Sequence, residues 1–262
     1  MTERLKGTKA VITGGAGAIG LATARAFLAE GAEVFVTDYD DALVMKAVEG
    51  LRSEVKPALV DGAAADVSAA DAVGTMMAKA AEAMGGMSAL INNAGTNVRG
   101  DLVDLSPGDI DRVIDVNTKG VMLCTQAAIP YLRDRDNASI TSTASQAGKR
   151  GWPQISVYCA SKAAVIGFGR AMAVELAPAI RVNSIAPGHI KDEGMAWDGF
   201  VERKRAEQSL DEFSDEFAAK EIPLQRLQSA SDIANGFVFL TSNEASEITG
   251  EVLNIGGGVV MD

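Results

Sequence analysis

The stretch KAVITGGAGAIG, Lys9 to Gly20, decides how the rest of the chain is read. Lys9 to Thr13 is a short β-rich run, and the residues after the glycines read as a helix to about Glu30. A strand that turns through glycines into a helix brings backbone N–H groups together at the positive end of the helix dipole, a natural seat for a pyrophosphate. The next strand, AEVFVTD (Ala32 to Asp38), ends on an acid. A carboxylate there can accept hydrogen bonds from a ribose diol and repels a 2′-phosphate. No Lys or Arg occurs in GGAGAIG or in VTDYD, so the pattern points to NAD rather than NADP. Gly14, Gly17, Ile19 and Gly20 of the turn, with Asp38 and Tyr39, are the candidate cofactor contacts.

Outward from this turn, strand-like and helix-like runs alternate. PALVD (Pro57 to Asp61), SALIN (Ser88 to Asn92), NASITS (Asn137 to Ser142), IRVNSIA (Ile180 to Ala186) and EVLNI (Glu251 to Ile255) read as further strands. Short apolar strands separated by helices imply an α/β fold: a doubly wound parallel sheet with helices on both faces. Ser68 with Asp71 resembles a capping box, and Ser106-Pro107 with Asp109 is a helix start. No repeat or low-complexity linker interrupts residues 1–262, so the chain reads as a single domain. The exception is 189–222, where no strand is expected. Its second half has a capping box (Ser209, Glu212), and Leu210, Phe213 and Phe217 share a helix face. Such an excursion is a surface decoration or a substrate lid.

Composition narrows the class. The chain has 262 residues, 47% of them hydrophobic, and a net charge of −11 from 24 basic and 35 acidic side chains. That suits one full-sized core and disfavours nucleic acid or an anionic membrane surface as partner. The start, MTERLKGTKAVIT, contains no apolar signal region, and no apolar run reads as long enough to cross a membrane. Cys124 and Cys159 form no metal or redox spacing. The expectations are no metal, reduced thiols and a cytoplasmic location.

In VYCASKAAV (Val157 to Val165), Tyr158 and Lys162 are one helical turn apart and share a face. A free phenol is a weak base at neutral pH, and a nearby fixed cation lowers its pKa. Spacing alone does not separate a catalytic pair from an ordinary helix surface.

TGGAGAIG, NNAG (Asn92 to Gly95), Asn117-Thr-Lys-Gly, SQAG (Ser145 to Gly148), YCASK (Tyr158 to Lys162) and RVNSIAPG (Arg181 to Gly188) occur in the order seen in short-chain dehydrogenases/reductases. The resemblance spans nearly the whole chain. It implies a single-domain Rossmann fold with a mostly seven-stranded parallel sheet. By resemblance, Tyr158 is the general acid/base, Lys162 lowers its pKa and holds the nicotinamide ribose, Ser145 holds the substrate oxygen, and Asn117 supports a proton relay. Asp66 and Val67 resemble the adenine contact. Asn93, Ala94 and Gly95 resemble the cofactor wall from the fourth strand, and Pro187, Gly188 and Ile190 the carboxamide loop. Ser142 and Thr143 are then structural. A homo-oligomer, tetramer or dimer, is implied as well. The sequence departs from the family at Ala18, where a glycine is usual, at Asp192, where a threonine is common, and before Gly256, where no aspartate stands.

For the substrate, Trp197-Asp198-Gly199 resembles sorbitol-type polyol dehydrogenases of the same family. That favours hydride transfer between NAD and a secondary alcohol or ketone of a small polar compound. Met195 and Phe200 join Trp197 as an apolar cover, and His189, the only histidine, is a loop contact. Arg99, Lys149, Arg150 and Lys191 give a second reading, a small anionic hydroxy compound such as a hydroxy acid or hydroxysulfonate. Two more readings are a 3-oxoacyl-type carbonyl reductase, whose usual NADPH preference Asp38 opposes, and a non-catalytic cofactor sensor. The sensor reading sits poorly with a complete Asn117, Ser145, Tyr158, Lys162 set.

Overall fold

The computed structural model describes residues 3–55, 59–191 and 207–261. Within them β1 (Lys9–Thr13), β2 (Glu33–Asp38), β3 (Val60–Ala64), β4 (Ala89–Asn92), β5 (Ser139–Thr143), β6 (Arg181–Pro187) and β7 (Val252–Ile255) make one sheet, ordered β3-β2-β1-β4-β5-β6-β7. Every neighbouring pair is parallel. The chain crosses from one half of the sheet to the other between β3 and β4. That reversal opens a crevice at the carboxyl ends of β1 and β4, where such sheets hold ligands.

Alternate residues of the central strands feed two cores. Ile12, Val34 and Val36 face one side and pack with Phe27 of α1 (Ala18–Ala29), Val48 and Leu51 of α2 (Asp41–Glu54) and Phe237 of α8 (Ala230–Thr241). Val11, Phe35 and Leu90 face the other, with Met76 and Met77 of α3 (Ala70–Met84), Cys124 and Leu132 of α5 (Gly120–Leu132) and Leu176 of α6 (Ser156–Leu176). Burying Phe27 or Phe237 contributes roughly 2–3 kcal/mol each.

Several expectations need correction. β3 is described from Val60, Pro57 lying outside the described residues, and it continues past Asp61 through Gly62 to Ala64, a run of low strand propensity held by its register with Val34 to Asp38. Ser68 and Asp71 do not form a capping box. α3 is capped by Ala69 without a side-chain bond, because Ser68 turns back to Asp66, with N and Oγ at 2.8 and 2.7 Å from Oδ1. α4 (Pro107–Ile114) does open on its Ser106–Asp109 box, and α7 (Leu210–Glu221) on Ser209–Glu212. α6, at 21 residues and mean hydropathy 1.2, is long and apolar enough to cross a membrane by length and composition, contrary to the sequence expectation. Its buried side, however, includes Ser161 and Lys162, and it packs along β6.

Between α4 and α5 the backbone forms a π-turn, Asp115–Lys119, that buries Asn117. Single π-turns inside helices are often found at functional sites. Gly120 follows at once, where a Cβ would sit 2.9 Å from Val67 Cγ2.

Candidate active site

The glycine turn is closely built. Gly14 has φ 62°, and a Cβ on it would lie 2.7 Å from Ala94 Cα. A Cβ on Gly20 would collide with the Gly14 carbonyl oxygen. Gly17 caps α1 without any side-chain bond, and Ala18 and Ile19 open the helix half-buried. The N–H groups of this first turn thus have no protein side chain as cap, the arrangement that accepts a phosphate. Asp38 is fixed beside the turn: Ala16 N–H donates to its Oδ2 (3.2 Å) and Tyr39 N–H to its Oδ1 (2.9 Å). Tyr39 is 77% exposed, an aromatic face beside that carboxylate.

The end of β4 is tied to this turn. Thr13 Oγ1 accepts from the N–H groups of Asn93 (3.0 Å) and Ala94 (3.1 Å), and Asn93 Nδ2 donates to the Gly14 carbonyl (3.0 Å). Thr143 Oγ1 donates to Asn93 Oδ1 (3.1 Å), and Asn92 Nδ2 reaches Ser142 Oγ (3.3 Å). Ser142 and Thr143 therefore hold the strand ends in place, as expected. Asp66 is exposed and Val67 buried at the end of β3.

Four side chains meet beyond these strand ends. Asn117 Nδ2 donates to Ser161 Oγ (3.0 Å) and to the Thr96 carbonyl (2.8 Å), while its Oδ1 accepts from Thr96 N–H (2.7 Å). Gly95 sits between the groups: a Cβ there would lie 3.4 Å from Asn117 Oδ1 and 3.7 Å from Lys162 Nζ. The Ser145 hydroxyl is close enough to the Tyr158 phenol to lower its pKa, and Ser145 Oγ accepts from Ala147 N–H (3.1 Å). The turn Gln146–Gly148 lies directly on α6, so that a Cβ on Gly148 would come 2.7 Å from the Lys162 carbonyl carbon. That contact sets Ser145 against Tyr158.

Tyr158 and Lys162, the pair singled out in the sequence, lie against each other at this site. Lys162 is 2% exposed, and Nζ donates to the Thr143 carbonyl (2.7 Å) and lies over the Tyr158 ring, 5.6 Å from its centroid. Burial pushes the Tyr158 phenol up to about 12, against a smaller lowering by the Ser145 hydrogen bond, and pushes Lys162 down to about 8. The ammonium faces the ring and the Thr143 carbonyl, and desolvation is the largest influence on the phenol. In this resting arrangement Tyr158 holds its proton.

On the substrate side, β6 ends at Pro187, and Gly188 presses on Gly256, where a Cβ would meet Gly256 Cα at 2.8 Å. Ile190 is buried and bridges to Gln228. His189 does more than expected. Its Nδ1 lies 3.0 Å from Gln146 Nε2, and its ring meets Trp152 edge-on at 5.6 Å and Phe217 of α7 at 4.8 Å. Arg150 stacks on Trp152, 4.8 Å from the ring centroid. Gly100 N–H donates to the Gln154 carbonyl (2.9 Å), drawing the loop of Arg99 alongside. Lys191 is instead committed to α7, 3.1 Å from Asp211. Met195, Trp197, Phe200 and Asp192 lie outside the described residues. Sequence reasoning did not identify Gln146, Trp152 or the Thr143 carbonyl. Adjacency to Ser145 was the one signal available for Gln146.

Among the described residues no group of three or more His, Cys, Asp or Glu side chains is placed to hold a metal ion. The cofactor that fits is a dinucleotide. The turn has no room for added carbons at Gly14 and Gly20, its helix end is uncapped, and a fixed carboxylate stands beside it.

Residues 14–260 match a family model described as enoyl-(acyl carrier protein) reductase. The chain is 38% identical over 263 residues to the 3-oxoacyl-[acyl-carrier-protein] reductase FabG of Thermotoga maritima, covering 98% of this chain and 100% of that one. It is 33% identical to 2-(S)-hydroxypropyl-CoM dehydrogenase 3 of Xanthobacter autotrophicus, covering 99% of each. The crystal structure of a short-chain dehydrogenase/reductase of Brucella melitensis, described as a glucose/ribitol dehydrogenase, superposes with TM-score 0.87 at 31% identity over 100% of both chains.

Proposed function

The chain belongs to the short-chain dehydrogenase/reductase family of oxidoreductases, and from that premise we propose that it transfers a hydride between NAD and a secondary alcohol or ketone of a small polar substrate. The observation that carries this reading is the convergence of Ser145, Tyr158, Lys162 and Asn117 beyond the glycine turn. Gly14, Gly17 and Gly20, with the N–H groups opening α1, hold the pyrophosphate, and Asp38 takes the adenosine ribose. Asp66 and Val67 flank the adenine. Asn93 to Gly95 line the nicotinamide side, with Pro187, Gly188 and Ile190 opposite. The nicotinamide, when bound, supplies the hydride chemistry.

The chain supplies the proton chemistry. In the reducing direction Tyr158 gives its proton to the carbonyl oxygen; in the oxidising direction it takes one from the hydroxyl. Ser145 shares that oxygen through its hydroxyl and polarises it. Lys162 is anchored by the Thr143 carbonyl and lies over the phenol ring, and Asn117 is anchored to the same helix through Ser161. Tyr158 is the proton donor in the reducing direction, and oxidation, which releases a proton, is favoured by alkali.

Residues 189–222 form the substrate lid in this reading, with α7 closing over His189. NAD use is supported by the carboxylate of Asp38, which opposes a 2′-phosphate. A second reading, reduction of a 3-oxoacyl compound, draws on the similarity to the Thermotoga maritima reductase. A homo-oligomer is supported by β7, whose four residues are all half-exposed at the edge of the sheet. A cytoplasmic location accords with free Cys124 and Cys159. The test is a panel of polyols, sugars, hydroxy acids and 3-oxoacyl thioesters with each nicotinamide cofactor, followed at the reduced-nicotinamide absorbance. Turnover with NAD on small alcohols supports the reading. Turnover confined to NADPH and acyl thioesters supports the second.

A further inference from the structure

The four cations near the substrate loops are not equivalent. Lys191 is paired with Asp211 on α7. Arg150 is placed differently. Its backbone N–H donates to the Gln146 carbonyl (3.0 Å), in the turn that begins at Ser145. Its guanidinium stacks on Trp152 at 4.8 Å, Trp152 meets His189 edge-on at 5.6 Å, and His189 returns to the Gln146 side chain at 3.0 Å. These contacts close a ring, Gln146–His189–Trp152–Arg150, that starts and ends on the residue next to Ser145. Gln146 is 5% exposed, so the base of the ring is buried while Arg150, at its rim, is exposed.

Stacking on an aromatic face fixes the plane of a guanidinium and leaves its N–H edge directed outward. That edge matches two oxygens of a planar or tetrahedral anion. The described residues include no carboxylate in an ion pair with Arg150. In a chain of net charge −11, a cation stacked in place, with no carboxylate partner among the described residues, is a candidate specificity element.

We propose that Arg150, held by Trp152, binds an anionic group at the far end of the substrate, so that the natural substrate is a small hydroxy or oxo compound bearing a carboxylate or a sulfonate. This rests on the dehydrogenase reading and narrows its substrate class. Arg150 takes no part in the proton transfer; it raises affinity equally in ground and transition states, so its loss acts on KM more than on kcat.

The test compares the full-length protein and its Arg150→Ala, Arg150→Lys and Trp152→Leu variants on three substrates with NAD: 3-hydroxybutyrate, 2-hydroxypropane-1-sulfonate and the neutral pentan-2-ol. The two anions separate a planar from a tetrahedral preference. The expected result is that Arg150→Ala lowers kcat/KM on at least one anion roughly tenfold more than on pentan-2-ol, mainly through KM, with Arg150→Lys and Trp152→Leu in between. The wild-type advantage of that anion should also shrink as salt rises, while pentan-2-ol is unaffected. Equal losses on charged and neutral substrates, or a wild type that prefers pentan-2-ol at low salt, overturn the proposal and leave the dehydrogenase reading intact. Failure of the wild type to oxidise either anion, with NAD-dependent turnover of neutral polyols or sugars, overturns the proposal alone, and an NAD-binding wild type that turns over no member of the broader panel overturns both.

Discussion

The contact between Gly148 and α6 can be tested with one methyl group. A Cβ on Gly148 would lie 2.7 Å from the Lys162 carbonyl carbon, 2.8 Å from its oxygen and 3.0 Å from Ala163 N, all backbone atoms of a helix that cannot yield locally. Restoring ordinary contact, from 2.7 Å to 3.4 Å, opens the turn from the helix by about 0.7 Å. The turn carries Ser145 and the helix carries Tyr158, so the opening falls directly on the pair that shares the substrate oxygen. A misplacement near 1 Å at reacting groups costs about a hundredfold, and overpacking costs about 1–3 kcal/mol of stability. Gly148→Ala should therefore lower kcat roughly thirty- to a hundredfold, while NADH affinity, set at the β1 turn, changes less than about threefold. The control is Gly167→Ala on the same helix, where nothing lies within 4 Å of the added methyl. It should keep activity and gain about 0.5–1 kcal/mol. Steady-state kinetics and NADH fluorescence titration on folded samples read both effects. A Gly148→Ala enzyme with kcat within twofold of wild type would show that Ser145 and Tyr158 are not positioned by this contact.

Two other perturbations give separate readouts. Asp38→Ala removes the carboxylate held by Ala16 N–H and should cut the NAD over NADP preference ten- to a hundredfold, measured as the ratio of kcat/KM values. An unchanged ratio would remove the basis for assigning NAD. Lys162 falls from 10.5 in an exposed chain to about 8 in the fold, so between these values the unfolded state binds more protons and stability rises with pH. The rise is at most about 3 kcal/mol, and Tyr158 opposes it only above pH 10, where its own raised value takes effect. Urea midpoints at about pH 7.5 and about pH 9.5 should show this gain in the wild type and not in Lys162→Met. Equal pH dependence in both proteins would contradict a dry Lys162.

What the sequence made legible was local. The strand–glycine–helix order at Lys9 to Gly20 needs only neighbours in the chain, and the structure places it as read. The caps at Ser106 and Ser209 are of the same kind. Asp38 was legible because a carboxylate ending β2 can lie only beside the β1 turn in a parallel pair. What was illegible depended on partners far away in sequence. β3 runs through Gly62 because β2 holds it, and Ser68 serves Asp66 rather than α3. The π-turn at Asn117 has no propensity signature. The pairing of Tyr158 with Lys162 was visible, but the anchoring of the ammonium by the carbonyl of Thr143, nineteen residues upstream of Lys162, was not. The ring of Gln146, His189, Trp152 and Arg150 spans two loops that only the folded sheet edge brings together.

The central claim is that Tyr158 transfers the proton that accompanies the hydride. Its most direct measurement is single-turnover reduction of a ketone substrate by NADH in Tyr158→Phe, with NADH affinity determined on the same sample. The account predicts a loss of roughly a hundred- to ten-thousandfold in the chemical step with NADH affinity nearly unchanged. Turnover within tenfold of wild type would contradict it, and the proton would have to come from another group.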